Sequence, residues 1–172
     1  MKQQIIIRSE NSADYAAINQ LNKLAFQQTN EVILVDKIRQ SNNYIPNLSL
    51  VAELNQSIVG YAMFSYIDLV GRETSKVLAL APVAVLPEYQ HQGIGSLLIQ
   101  TGLEKAKKIS PSIVIVLGSP KFYHRFGLKT AIDYGIQSPF NVPDEYFMVQ
   151  FLSEVKDNYQ GKVFYPAAFD DV

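Results

Sequence analysis

Cysteine is absent from the 172 residues, which removes disulfides, thiolate metal sites and a cysteine nucleophile together. Histidine is nearly as scarce. His91 and His124 have no partner at ligand spacing, so a histidine zinc site has no basis. The N-terminus offers no long apolar run, since Ile5-Ile6-Ile7 is far too short for a signal or membrane-spanning segment. Neither sign of charge dominates: 15 Lys and Arg stand against 16 Asp and Glu, a net charge of -1 unlike that of a uniformly basic nucleic-acid binder. A cytoplasmic protein is expected, engaging neither nucleic acid nor membrane, and the lack of cysteine agrees with a reducing compartment.

What remains is the balance of a globular chain, 48% hydrophobic and 18% charged. The length suits one well-buried core, so residues 1–172 are read as a single domain. Ile5 to Arg8 reads as a short strand, followed by Ser9, Asn11, Ser12 and Asp14, all able to cap a helix. Tyr15, Ile18, Leu21, Leu24 and Ala25 then recur at helical spacing. A second helix carries Val32, Leu34, Val35 and Ile38, with Glu31 in its first turn, and ends near Ser41-Asn42-Asn43. Three strand-like stretches follow, Leu48 to Leu54, Ser57 to Asp68 and Glu73 to Leu86, whose short links fit an antiparallel meander and leave no room for a crossover.

From Val77 the third of these is almost unbroken apolar sequence, as in a strand covered on both faces. After the turn Gln90-His91-Gln92-Gly93-Ile94-Gly95 the period changes to that of a helix, with Ile94, Leu97, Leu98, Leu103, Ala106 and Ile109 on one face. Ser110-Pro111 is expected to stop it. Ile113 to Leu117 is a buried strand that must run parallel to the Val77 strand, because a helix joins them. A short helical piece from Lys121 to Phe126 ends at Gly127, and Tyr146 to Leu152 is the last clear strand. Asp133 to Glu145 and Lys156 to Val172 show no clean period and are read as loops packed through aromatics such as Phe140, Tyr159, Phe164, Tyr165 and Phe169. The layout is mixed α/β: a mostly antiparallel central sheet, one parallel β-α-β crossover and helices on both faces.

A glycine-rich turn between strand and helix presents free amides at the positive helix end, which is an anion site. Three such turns are distinguishable. A P-loop needs Gly-Lys-Ser/Thr, and no such tripeptide occurs. A dinucleotide fingerprint needs a third glycine where this chain has Leu98, and it would open the fold, whereas here several strands precede it. The third is an acyl-CoA turn. A pyrophosphate must approach several backbone N–H groups at once, and a side chain at Gly93 or Gly95 would hold it away. Gln90 and Gln92 offer amide hydrogens but no charge.

The turn Gln90-His91-Gln92-Gly93-Ile94-Gly95, preceded by Pro87-Glu88-Tyr89 and followed after the next strand by Tyr123-x-x-Phe126-Gly127-Leu128, resembles the acyl-CoA signature and the later Tyr element of the GCN5-related N-acetyltransferase (GNAT) family. Leu128 stands where that element carries Phe. The order of elements matches from Ile5 to about Leu152, and the Pro120 to Gly127 stretch with the aromatic C-terminal part looks nearest to the bacterial YhbS-like branch. The resemblance implies an N-acetyltransferase domain over 1–172 with an acyl-CoA-binding core at about 77–128. It implies acetyl-CoA as cosubstrate, no metal, and a small-molecule or peptide amine as acceptor, in a monomer or homodimer. Acetyl would pass to a primary amine by direct attack in a ternary complex; the alternative is a CoA-binding module of the same fold without catalysis.

By the same resemblance, Val83, Ala84 and Val85 contact pantetheine through the main chain, and a backbone N–H near Val83 polarises the thioester carbonyl. Gln90, His91, Gln92, Gly93, Ile94, Gly95 and Ser96 form the pyrophosphate turn, and Ser119, Phe122 and Tyr123 are further cofactor-binding residues. Tyr123 matches the family's tyrosine acid, or else is a tyrosine lining the core or substrate. Many members carry a glutamate base on the strand equivalent to Val77–Val85, where this chain has none. Glu31 is the best substitute, with a helix-capping role standing beside that one.

Overall fold

A computed structural model describes residues 4–110, 112–154 and 159–170. The elements run β1 (Ile6–Ser9), α1 (Tyr15–Phe26), α2 (Asn30–Arg39), β2 (Tyr44–Leu54), β3 (Ser57–Val70), β4 (Thr74–Val85), α3 (Ile94–Ala106), β5 (Ile113–Leu117), α4 (Pro120–Tyr123), β6 (Lys129–Thr130), β7 (Ile136–Gln137), β8 (Phe147–Phe151) and β9 (Gly161–Phe164). Six short 3-10 turns punctuate them. The sheet follows the order β1-β2-β3-β4-β5-β8-β6, with β9 beside β3 and β7 beside β9. Its pairs are antiparallel except β4 with β5 and β7 with β9.

The expected mixed α/β architecture is observed, with α3 on one face and α1 and α2 on the other. α3 buries Ile94, Leu98, Ile99, Leu103 and Ala106 against Leu50, Ala52, Ala62, Phe64, Leu78, Leu80 and Val114. On the opposite face Ile18, Leu21, Leu34, Val35 and Ile38 pack on Val51, Tyr61, Met63 and Ala84. Further along that face Ile67, Leu69, Val77, Ala79, Ile115, Phe147 and Val163 form a third cluster, edged by Tyr159, Tyr165 and Phe169. Among the described residues no helix is long and apolar enough to cross a membrane.

Local chemistry accounts for the boundaries. Asn11 and Asp14 form a capping box, with Asn11 Oδ1 accepting from Ala13 N at 3.0 Å and Asp14 Oδ2 accepting from Asn11 N at 2.8 Å, and α1 follows directly. α3 ends at Ala106, three residues earlier than its apolar period suggests. Pro111, the expected stop, lies outside the described residues. The stop that is visible is Ser112, whose buried hydroxyl has one proton to donate and lies within hydrogen-bond reach of the carbonyls of Ala106, Lys107 and Ile109 at the helix end.

Two expectations need correction. β2 begins at Tyr44, not Leu48: the strand takes in Pro46 and Asn47 through an irregular stretch of register between Tyr44 and Ser49. The C-terminal stretch read as loop contains β9, which pairs with Asp68–Val70 and buries Val163 completely. The preceding loop contributes β7, only two residues long. Residues 156–158, 171 and 172 of these stretches lie outside the described residues.

Beneath the α1–α2 layer lies a buried charged knot. Glu10 accepts hydrogen bonds from Arg39 (Nη2 at 2.6 Å, Nε at 3.1 Å), Ser49 Oγ (2.6 Å) and Tyr44 OH (2.8 Å). The Arg39 guanidinium also sits 3.8 Å from the Tyr15 ring centre. A buried ion pair contributes when its remaining lone pairs are satisfied, as these are, and it fixes α2 to the β1–β2 edge.

α3 approaches the sheet closely at Gly102, where an added Cβ would stand 2.2 Å from Phe64 Cε2. Phe64 is fully buried. Ala in place of Gly gains about 1 kcal/mol of helix propensity, but overpacking at a rigid ring costs about 1 to 3 kcal/mol. Gly102→Ala is therefore expected to lower the melting temperature measured by calorimetry; an increase would mean that the helix rides with slack over the sheet.

Candidate active site

The site begins where the parallel pair fails. β4 and β5 are matched only at Leu78 with Val114 and Ala79 with Ile115. Beyond this, each strand keeps its other neighbour: β5 stays on β8 through Leu117, and β4 stays on β3 through Val85. The two strands part, leaving main-chain groups of β4 unpaired on that side. A shift of register lies at the same level, because Ala62 faces Val83 and Phe64 faces Leu80, so two residues of β4, Ala81 and Pro82, oppose Met63 alone.

The bulge reverses the side-chain parity of β4. Leu78 and Leu80 face α3 before it; Val83 and Val85 face α3 after it, and Ala84 turns to the α1–α2 core. The direction of the backbone follows. Leu86 N donates to Val59 O on β3 at 2.9 Å, whereas Val85 O accepts from the Gln90 side chain at 3.0 Å, away from β3. Main-chain groups alternate along a strand, so the N–H and C=O of Val83 point the same way as those of Val85, into the parted side.

The resulting cleft has a volume of about 760 Å³. Val83, Ala84 and Val85 form its floor. Tyr89, Gln90, His91, Gly93, Ile94, Gly95 and Ser96 form one wall, and Ser119, Lys121, Phe122, Tyr123 and Arg125 the other. Gly93 is the N-cap of α3 with φ 84°, a left-handed conformation that favours glycine, and no side chain caps the helix. No acidic residue occupies the first turn either. The positive end of a 13-residue helix thus opens into the cleft uncompensated.

Every donor-site residue expected from the sequence lines this cleft except Gln92, whose amide turns back to Glu88 O at 3.4 Å. The physical demand differs between the two glycines. Gly93 is held by its φ, and a Cβ there would meet no atom within 4 Å; at Gly95 a Cβ would make ordinary contact with Val85 Cγ2 at 3.7 Å. Tyr89, Lys121 and Arg125 were not expected. Tyr89 sits in a 3-10 turn that the sequence presents only as a flank of the motif, whereas Lys121 and Arg125 stand four residues apart, a spacing that puts two cations on one side of a helical segment.

Tyr123 packs on Gly118, where an added Cβ would lie 2.5 Å from its Cε2, and edge-on to Phe122 with ring centres 5.0 Å apart. Burial pushes its phenol up to about 12, which keeps it protonated at any physiological pH. Glu31 does not line the cleft. It is buried in the first turn of α2, with Oε1 accepting from Gln28 Nε2 at 2.8 Å and Oε2 without a hydrogen-bond partner. The N-cap of α2 is Thr29, so Glu31 makes no capping hydrogen bond and can act on the helix end only through its charge. Asn22 of α1 is completely buried, again with both side-chain polar atoms unpartnered.

The described geometry has counterparts among known proteins. The family model "Acetyltransferase (GNAT) family" matches residues 15–128. Uncharacterized N-acetyltransferase YjhQ of Escherichia coli K12 is 34% identical over 146 residues, covering 82% of this chain and 81% of its own. A crystal structure of the Escherichia coli GNAT family N-acetyltransferase YhbS in complex with CoA superposes with a TM-score of 0.90 at 28% identity, covering 99% of this chain and 94% of the other. A GNAT family acetyltransferase from Brucella melitensis in complex with acetyl-CoA gives a TM-score of 0.79 at 32% identity, over 98% of this chain and all of the other. Parted strands, an uncapped helix end and an extended likeness in sequence thus lead to one conclusion: the chain belongs to the GNAT family and is an N-acetyltransferase.

Proposed function

We propose that this N-acetyltransferase takes acetyl-CoA as donor and moves the acetyl group to a primary amine by direct attack in a ternary complex. One observation carries the reading: the cleft runs from unpaired main chain on β4 to the uncapped amides of α3, with Tyr123 on the facing wall. Pantetheine would add to Val83 and Val85 as a strand adds to an edge, and the pyrophosphate would rest on the amides of Ile94, Gly95 and Ser96. Two solved relatives that hold CoA or acetyl-CoA support this choice of donor.

The chemistry follows from charge. The free amine attacks the thioester carbonyl carbon, and the carbonyl oxygen gains the negative charge, which the Val83 N–H, pointing into the cleft, would stabilise. Collapse re-forms the carbonyl and breaks the C–S bond. The sulfur leaves as thiolate and takes a proton from the Tyr123 phenol, which regains one from the nitrogen that has become the amide. Glu31, which lies outside the donor cleft, is proposed as the base that takes the proton from the incoming ammonium through water, its Oε2 making no hydrogen bond to the protein. The lack of a carboxylate from Val77 to Val85 also favours a second reading, a module that binds CoA without turnover.

Calorimetric titration of acetyl-CoA, together with thiol release against a panel of amines, separates these readings. Binding with turnover supports the enzyme; binding with no turnover on any amine supports the module. Glu in place of Gly95 is the informative binding variant, since that position is helical and near the helix start, where a carboxylate is favoured. Gly95→Glu should leave the melting temperature unchanged or higher and weaken acetyl-CoA at least tenfold, and unaltered affinity would remove the α3 end from the donor site.

Tyr123→Phe should lower kcat while acetyl-CoA affinity stays within about twofold. With the phenol at about 12, wild-type kcat should show no loss on the alkaline side below about pH 10. A variant with unchanged kcat would take Tyr123 out of the reaction. For Glu31→Gln, the expected result is a reduced kcat with acetyl-CoA affinity unchanged. A lower melting temperature with normal kcat would assign Glu31 to the fold alone.

A further inference from the structure

The donor cleft has an imbalance of charge that its glycine turn does not resolve. A helix end offers roughly half an elementary charge, while a diphosphate carries whole charges. The two glutamines of the turn add none, and both amide groups are turned to the backbone: Gln90 to Val85 O and Gln92 to Glu88 O. The cations of the cleft stand on the opposite wall, at Lys121 and Arg125, and no carboxylate is among the described lining residues.

Of the two, Arg125 is the one held in place. Its guanidinium carbon lies 4.7 Å from the Phe122 ring centre and 5.3 Å from that of Phe126, and its Nε donates to Phe122 O at 3.2 Å. Those contacts fix the planar group without using a carboxylate. From there Nη2 reaches across the cleft to 3.5 Å from Ser96 Oγ. Ser96 is the third residue of α3, so a group bound by the first-turn amides would lie beside this guanidinium. A guanidinium fork matches phosphate oxygens two at a time, and its orientation is already set.

We propose that Arg125 is the cationic clamp of the donor site, closing on the diphosphate from the α4 wall and making the chain select nucleotide-bearing acyl donors over the bare acyl-pantetheine. This rests on the acyl-CoA reading above. The charge that holds the diphosphate then comes from outside the glycine turn, and Arg125 determines donor specificity without touching the reacting atoms.

The test is calorimetric titration of wild type, Arg125→Gln and Arg125→Lys with three ligands: CoA, pantetheine and inorganic pyrophosphate, at low and high salt. Arg125 is exposed, so the substitutions leave the core untouched. The expected result is a loss of about tenfold or more in CoA affinity for Arg125→Gln, a smaller loss for Arg125→Lys, and a weaker salt dependence in the former. Pantetheine affinity should stay constant and pyrophosphate affinity should fall in parallel with that of CoA. CoA binding within about twofold of wild type in Arg125→Gln, or an equal loss for pantetheine, overturns the clamp. A wild-type protein that binds pyrophosphate in an Arg125-dependent way but rejects CoA keeps the clamp and refutes the acyl-CoA reading, and one that binds neither refutes both.

Discussion

The structure depends on the parting of β4 from β5, neighbours that are matched at only two positions. β4 is tied to β3 along nearly its whole length, and β5 is tied to β8 along all of its own. After two matched positions the parallel pair opens, each strand keeping its other neighbour. Unpaired main-chain groups in an interior are costly. Here they open onto a cleft instead, and the bulge at Ala81 and Pro82 turns Val83 and Val85 toward it. The α3 end, the α4 wall and the turn between β4 and α3 are arranged around that opening.

The surrounding packing keeps the opening from closing. α3 is pressed against Phe64 at Gly102, so it cannot slide to cover the gap. On the other face, the α1–α2 layer is anchored by the Glu10–Arg39 knot to the β1–β2 edge, away from the opening. Ala84 belongs both to that layer's core and to the cleft floor, so the donor side and the helical layer share one strand.

Much of this is legible in the sequence, for physical reasons that also explain the gaps. The change from an unbroken apolar run to helical period across Gln90–Gly95 marks β4, the turn and α3, and a helical link forces β5 to be parallel. β7 and β9 are too short for any period to develop, and β9 exists through pairing with a strand far away in sequence. In the site, glycine and the helix start announce an anion, but the cations that face it sit on another element. Arg125 becomes meaningful only once Phe122, Phe126 and Ser96 surround it. Likewise Gly118 carries no signal by itself until the Tyr123 ring is seen to occupy the space a methyl would need.

The pairing of β9 with the far end of β3 has a consequence for how the chain is assembled. β2 leaves that stretch of β3 uncovered, and β9 fills it, so everything from β4 through β8 is a single long loop closed by Asp68–Val70 on Gly161–Phe164. Closing a long loop costs little more than closing a moderate one. The donor unit is therefore a topological insertion whose two ends are fastened together, and during synthesis that fastening becomes possible only once β9 has emerged. By the same argument, a change of length in a link between the inserted elements alters the cost of forming the clasp only slightly. The clasp and the cleft therefore belong to one inserted unit, joined to the rest of the sheet through β3.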